Sequence, residues 1–188
     1  MPAFSLDNFP NYVLVQKKAF SCNYRDIAIM LMNKNESTHT AAIVPFGSEF
    51  SGVVIDIARS VKNLKIGDRV IPNGSYPTNR QEPTMIGLLT NKASLELELF
   101  HKSKLIKIPE NMTLDEGADF TIAAQTVYSM KKKLCIKRKQ KGLILWFPSN
   151  TTLFAYNILK SKDLDIFLGS RRPLDKLSNI PKKNIYYP

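Results

Sequence analysis

Four short stretches of the chain carry side chains that could hold a charged ligand. Gly169-Ser170-Arg171-Arg172 sets two guanidinium groups side by side, a planar fork suited to a phosphate. Upstream, the apolar run Leu143 to Phe147 leads into Pro148-Ser149-Asn150-Thr151-Thr152, where Ser149, Asn150 and Thr151 can cap a helix and offer donors to an anion. Asn23-Tyr24-Arg25-Asp26 pairs a base with an acid, a local arrangement that is more often architectural than catalytic. Lys131 to Lys141 holds seven positive side chains in eleven residues with no acid among them. Such a run can bind nucleic-acid phosphates without reading sequence, yet no aromatic residues are interleaved to stack bases, so it reads first as a solvated helix end. Metal chemistry has little to work with: Cys22 and Cys135 form no CxxC or CxxH spacing, and His39 and His101 are isolated.

The elements that must position these residues fall into two parts. Tyr12 to Phe20, Phe50 to Ile57, Arg69 to Ile71 and the alternating Leu95 to Phe100 read as strands, with a tight turn at Gly67-Asp68. Ile27 to Met32 is an apolar block too short to tell strand from helix by period, and the polar residues 33–41 and 73–83 read as loops. Beyond Pro109 the pattern changes. Thr113 and Glu116 have capping-box spacing, a helix is expected over 121–133, and Leu143–Phe147, 151–160 and Leu164–Leu168 read as strand, helix and parallel strand. Residues 184–188 offer a third short strand.

Composition sets the outer bounds. The chain has 188 residues, 44% of them hydrophobic, and a net charge of +11, which together exclude a collagen, a low-complexity tail and an acidic disordered segment. The excess of positive charge invites polyanions, either nucleic acid or a phosphorylated cofactor. The start lacks a basic n-region followed by an apolar core, and no apolar run approaches the ~18 residues of a membrane span, so a soluble, cytoplasmic protein without membrane contact is expected.

Several of these segments, in this order, resemble the medium-chain dehydrogenase/reductase superfamily, especially its zinc-free quinone oxidoreductases and the enoyl reductase domains of fatty acid and polyketide synthases. They are Asn23-Tyr24-Arg25-Asp26, Gly47-Ser48-Glu49-Phe50-Ser51-Gly52-Val53-Val54, Gly67-Asp68-Arg69-Val70, Ile108-Pro109-Glu110 and Thr126-Val127-Tyr128. The resemblance implies an α/β chain with a GroES-like β-barrel domain over residues 1–115, followed over 116–188 by a partial Rossmann-type parallel sheet. It implies NADPH as cofactor, with Asn23 and Thr126 near it, Ser149, Asn150 and Thr151 at its pyrophosphate, and Ser170, Arg171 and Arg172 at its 2′-phosphate. It also implies the absence of zinc, because Asn23 and Ser48 stand where alcohol dehydrogenases hold the metal with cysteine and histidine. A tyrosine present in some enoyl reductases is replaced at about Lys34, whose ordinary pKa of ~10.4 suits it poorly to acid–base work.

The cofactor turn departs from the family pattern. A dinucleotide turn needs glycines so that the backbone can approach the pyrophosphate, and their positions fall near Trp146, Ser149 and Thr152. The family's sheet also continues beyond a third strand, so the outer edge of Leu143–Phe147 is expected to stand open and to call for a covering element, a second copy or a partner protein. Three functions follow from these features. The first is a truncated, divergent reductase-like chain with a degenerate cofactor site that works as a binding or assembly module. The second is an NADPH-dependent, zinc-free reductase of an activated double bond, of enoyl or quinone type. The third is a basic nucleic-acid-binding protein.

Overall fold

The computed structural model describes residues 6–36, 45–74, 90, 92–160, 163–173 and 184–187. The chain divides at Thr121/Ile122 into two compact units.

The first unit is built on a five-stranded antiparallel sheet of order β4-β1-β2-β3-β5. Its strands are β1 (Tyr12–Phe20), β2 (Phe50–Ile57), β3 (Arg69–Pro72), β4 (Leu97–His101) and β5 (Leu105–Lys107). The alternation read in β1 is real: Val13, Val15 and Lys17 are buried in turn while their neighbours are more open. Val13, Val15, Phe50, Val54, Val70 and Phe100 form the core of this unit, with the Phe50 and Phe100 rings 5.0 Å apart between centroids. Gly52 lets β2 approach β1, since a Cβ there would lie 2.7 Å from the Gln16 carbonyl oxygen. Gly67 turns the chain between β2 and β3 at φ +90°, a conformation that only glycine adopts freely.

The undecided block at 27–32 lies in a helix, α1 (Tyr24–Glu36), which also takes in residues 33–36 that the sequence reading assigned to a loop. The helix entry is held by the Asp26 carboxylate, which accepts from the Asn23 amide nitrogen at 2.8 Å. Pattern could not find this, because apolar Ile27, Met30 and Leu31 are all exposed and mark no buried face. Most of the expected loop over 73–83, together with His39 and the Lys34 side chain, lies outside the described residues. The short helix α2 (Leu114–Ala118) starts at the predicted capping box: Thr113 Oγ1 accepts from the Glu116 amide at 3.2 Å and the Glu116 carboxylate accepts from the Thr113 amide at 2.8 Å.

The second unit contains most of α3 (Thr121–Leu134) and a three-stranded parallel sheet of order β6-β7-β8. Its strands are β6 (Lys141–Ile144), β7 (Asp165–Gly169) and β8 (Ile185–Tyr186), with α4 (Asn150–Leu159) between β6 and β7. Leu143 pairs with Phe167 and Leu168 with Ile185, so all three strands run the same way. Phe147, Ile166 and Leu168 centre a second core onto which Leu153, Tyr156 and Leu159 pack. β6 begins two residues earlier than the apolar run suggested and ends at Ile144. Trp146 turns to φ +63°, and the apolar residues 145–147 lie beyond the strand in the turn. Among the described residues no helix is long and apolar enough to cross a membrane.

Candidate functional site

In the first unit the polar residues of the Asn23 and Ser48 stretches come together. Glu49, fully buried immediately before β2, accepts from Ser21 Oγ at 2.7 Å and from Asn23 Nδ2 at 3.0 Å. Asp26, 1% exposed, accepts from Ser48 Oγ at 2.5 Å, and the same hydroxyl accepts from Arg25 Nη1 at 3.1 Å. Arg25 also lies 4.0 Å from the Asp26 carboxylate. Buried carboxylates are stable only when hydrogen-bonded or paired, and this knot supplies both. Asn23 and Ser48 do not fit a zinc ion: one is a neutral amide and the other a hydroxyl, and both are engaged by the buried carboxylates. Among the described residues no group of three His, Cys, Asp or Glu side chains is placed to hold a metal. His101 instead accepts from the Ser103 amide and stacks edge-on to Tyr12.

In the second unit the ends of β6 and β7 lie side by side, tied by Phe147 N–H donating to the Gly169 carbonyl at 3.0 Å. This brings together two of the residue groups picked out from sequence. Ser149 is the N-cap of α4. Its Oγ accepts from the Thr152 amide while Thr152 Oγ1 accepts from the Ser149 amide at 2.8 Å, a capping box built from two hydroxyl residues. Asn150 and Thr151, both half-buried, form the first turn behind it. Beyond β7, the buried Ser170 donates to the Arg172 carbonyl and accepts from its amide, fixing the backbone that carries the arginine pair. The Arg171 guanidinium lies over the Trp146 ring at 4.1 Å from its centroid.

Thr126 takes part in none of the contacts just described. It is the sixth residue of α3, exposed in mid-helix, and not at a helix start as its sequence context suggested. Asn23 belongs to the knot in the first unit. Sequence reasoning missed Trp146 as a working part of the turn, although its position at a family glycine was the available signal. It also missed Lys17, whose inward register on β1 was readable from the alternation of Val13 and Val15.

A dinucleotide pyrophosphate would have to rest on the turn between β6 and α4. Trp146 stands near the place where the sequence pattern puts the first glycine, and the Ser149 and Thr152 amides are occupied by the capping box. These residues do not fit the standard pyrophosphate cradle, which needs bare backbone and open N–H groups. Arg171 and Arg172, both exposed, do fit a phosphate group.

Comparison with known proteins adds the lineage. The alcohol dehydrogenase GroES-like domain family matches residues 9–110. A highly reducing polyketide synthase of Penicillium soppii is 26% identical over 183 residues, 94% of this chain and 6% of that one. The (R,R)-butanediol dehydrogenase of Bacillus subtilis is 26% identical over 103 residues, 50% of this chain and 30% of that one. Among solved structures, Escherichia coli quinone oxidoreductase complexed with NADPH superposes with a TM-score of 0.66 at 19% identity, covering 87% of this chain and 45% of that one. JamJ enoyl reductase gives 0.70 at 23% identity, covering 93% and 50%. The chain spans about half the length of these two solved structures and less than a third of the two curated relatives.

Proposed function

Because the chain belongs to the alcohol dehydrogenase GroES-like domain family, within the medium-chain dehydrogenase/reductase superfamily, we propose that it is a reductase-like binding and assembly module with a degenerate cofactor site. One observation carries this reading. The turn that would cradle a pyrophosphate carries the bulky Trp146 and no glycine, and its Ser149 and Thr152 amides are taken up by a capping box. On this reading no zinc takes part, and the second unit, in which β6 pairs only with β7 among the described residues, engages another chain.

A second reading is favoured by the Arg171–Arg172 pair and by relatives that include an NADPH complex and enoyl reductases. On it the chain contributes to an NADPH-dependent reduction of an activated double bond, with the arginines on the 2′-phosphate and Thr126 beside the nicotinamide. Thermal unfolding with and without NADPH and NADP⁺ separates the two. Cofactor at about 100 times its Kd stabilises a native state by about 2.7 kcal/mol, about 5–10 °C for a chain of this size. The module reading expects no shift at millimolar cofactor; a shift of that size, lost in Arg171→Ala/Arg172→Ala, refutes it in favour of the reductase. The basic run gives a separate nucleic-acid test. Binding to a generic RNA through that run would weaken steeply between about 50 and 200 mM salt and fall when Lys137, Arg138 and Lys139 are neutralised; unchanged binding in that variant rejects the run as the site.

A further inference from the structure

The polar knot of the first unit holds its charges unevenly. Asp26 and Ser48 are each 1% exposed, whereas the Arg25 side chain is 42% exposed. The Asp26 carboxylate is satisfied from inside the knot: one oxygen accepts from Ser48 Oγ and the other from the Asn23 amide. Arg25 does not clasp it in a bidentate fork, and their 4.0 Å separation is longer than a hydrogen bond. Arg25 Nη1 donates instead to Ser48 Oγ at 3.1 Å. The single Ser48 proton goes to Asp26, so that hydroxyl turns only lone pairs to the guanidinium and fixes its orientation.

This arrangement sets a partly exposed, planar donor in place before any ligand arrives. Its surroundings select what it binds. Among the described residues the knot holds two carboxylates, Asp26 and Glu49, against this one guanidinium, so an incoming carboxylate or phosphate would add a third anion. A neutral oxygen acceptor escapes that repulsion and still takes an N–H from a cation, a stronger bond than one between neutral groups. The same segment supplies a flat apolar border. Gly47, next to Ser48, lies so close to Phe20 that a Cβ would come within 3.3 Å of its ring. Phe20 is 39% exposed and meets Phe46 edge-on, with centroids 5.5 Å apart. A planar conjugated carbonyl compound offers both an acceptor oxygen and the apolar faces that such a border matches.

We infer that Arg25 is the hydrogen-bond donor of a ligand site on the first unit, which takes the oxygen of a neutral, conjugated carbonyl compound in preference to a carboxylate. This goes beyond the module reading, because it gives the first unit a small-molecule ligand whose binding needs no cofactor.

The test uses the full chain without cofactor and three probes on one skeleton: benzalacetone, a conjugated ketone; cinnamate, its carboxylate counterpart; and trans-β-methylstyrene, which lacks oxygen. Dissociation constants come from ligand-observed NMR titrations. Benzalacetone should bind at least about tenfold more tightly than either of the others, a difference within reach of one hydrogen bond from a charged donor. The resonance of its carbonyl carbon should move downfield on binding, because the oxygen accepts that bond. Arg25→Met keeps the apolar stem, removes the donors and should bring benzalacetone to the affinity of the hydrocarbon. Ser48→Ala removes the hydroxyl that orients the guanidinium and should weaken the ketone with the hydrocarbon unchanged, a pattern that a general loss of structure would not give. Arg171→Met, which removes an exposed guanidinium from the second unit, should change neither.

Cinnamate binding as tightly as benzalacetone would make Arg25 an anion site, and equal binding of the hydrocarbon would leave only apolar contact; either overturns the inference. So does ketone selectivity that survives Arg25→Met or is lost in Arg171→Met. A mass gain of one ligand at the exposed Cys22 thiol would show alkylation in place of reversible binding and overturns it as well. If both knot variants fail to fold, the probe series and the carbonyl shift on the parent chain decide the matter. An NADPH-induced rise in melting temperature refutes the module reading of the cofactor turn and leaves the carbonyl result standing, whereas absent ketone selectivity with NADPH silent refutes this inference alone.

Discussion

Lys17 gives the sharpest test of how the first unit is held together. Its stem follows the inward register of β1, and its ammonium lies 5.3 Å and 5.7 Å from the centroids of the Phe50 and Phe100 rings. It is bonded to the Glu98 carboxylate and to the Lys92 carbonyl oxygen. Burial pushes its pKa below the ordinary lysine value of 10.5, and the opposing pull of Glu98 does not restore it. Lys17→Met keeps the apolar stem and removes the charge. Glu98 is then left with Thr90 Oγ1 at 3.2 Å and with solvent, since its side chain is 21% exposed.

Lys17→Met deprives the part-buried Glu98 carboxylate and the Lys92 carbonyl of this donor, which costs about 1–3 kcal/mol, and relief of ammonium desolvation, the larger influence on the Lys17 pKa, offsets part of that. Lys17→Met should therefore cost about 1–2 kcal/mol in urea unfolding followed by far-ultraviolet circular dichroism. The double variant Lys17→Met/Glu98→Gln removes both charges and should fall within about 1 kcal/mol of the parent, giving a coupling of about 1–3 kcal/mol. The pH dependence follows with its sign. Between the lowered folded pKa and the unfolded value the unfolded chain binds more protons, so stability rises as pH climbs through that window, and Lys17→Met loses that rise. A double variant at least as unstable as the sum of its single changes, or a pH slope unchanged in Lys17→Met, would refute the account.

Asp68 is buried behind the Gly67 turn, with Lys107 Nζ at 2.6 Å and the Lys65 amide at 2.8 Å. Burial alone would raise its pKa, but Lys107 and then Lys65 outweigh that and hold the carboxyl below its usual range. Its contribution is therefore present above the unfolded pKa and lost as pH falls through the folded one. Asp68→Asn should cost about 1–2 kcal/mol at pH 7 and flatten the acid limb, the half-exposed Lys107 setting the modest size. Thr113→Ala removes the α2 cap and should cost about 1 kcal/mol by urea titration. Glu116 is held below its usual range first by the Thr113 amide and then by its hydroxyl, so in this variant its carboxyl should titrate closer to the ordinary value by NMR. Gly47→Ala, at φ +95° and with its new Cβ 2.7 Å from the Ala93 Cβ, should lower the melting temperature more than Gly67→Ala, which meets strain at φ +90° but open space. Equal effects at the two glycines would show that the contact with Ala93 relaxes freely.

Features that depend on local chemistry were legible in the letters alone. Alternation marked β1 and the Thr113–Glu116 spacing marked a helix start, because both patterns act within a few residues of chain. The order of short motifs pointed to the superfamily that the family match and the solved folds support. The absence of glycine from Trp146 to Thr152 was equally plain, since it is read directly from the letters.

What lies between elements came from packing and strand pairing. α1 was ambiguous because its exposed apolar residues mark no core-facing stripe, so only the backbone settled helix over strand. β6 stopped at Ile144 because Trp146 turns to φ +63°, a conformation that an apolar run gives no reason to expect. The seating of Arg171 over Trp146 depends on two parallel strands ending side by side, which brings residues 25 positions apart into contact. Long-range pairing of this kind is set by how strands share a sheet, and the letters of either segment alone do not contain it.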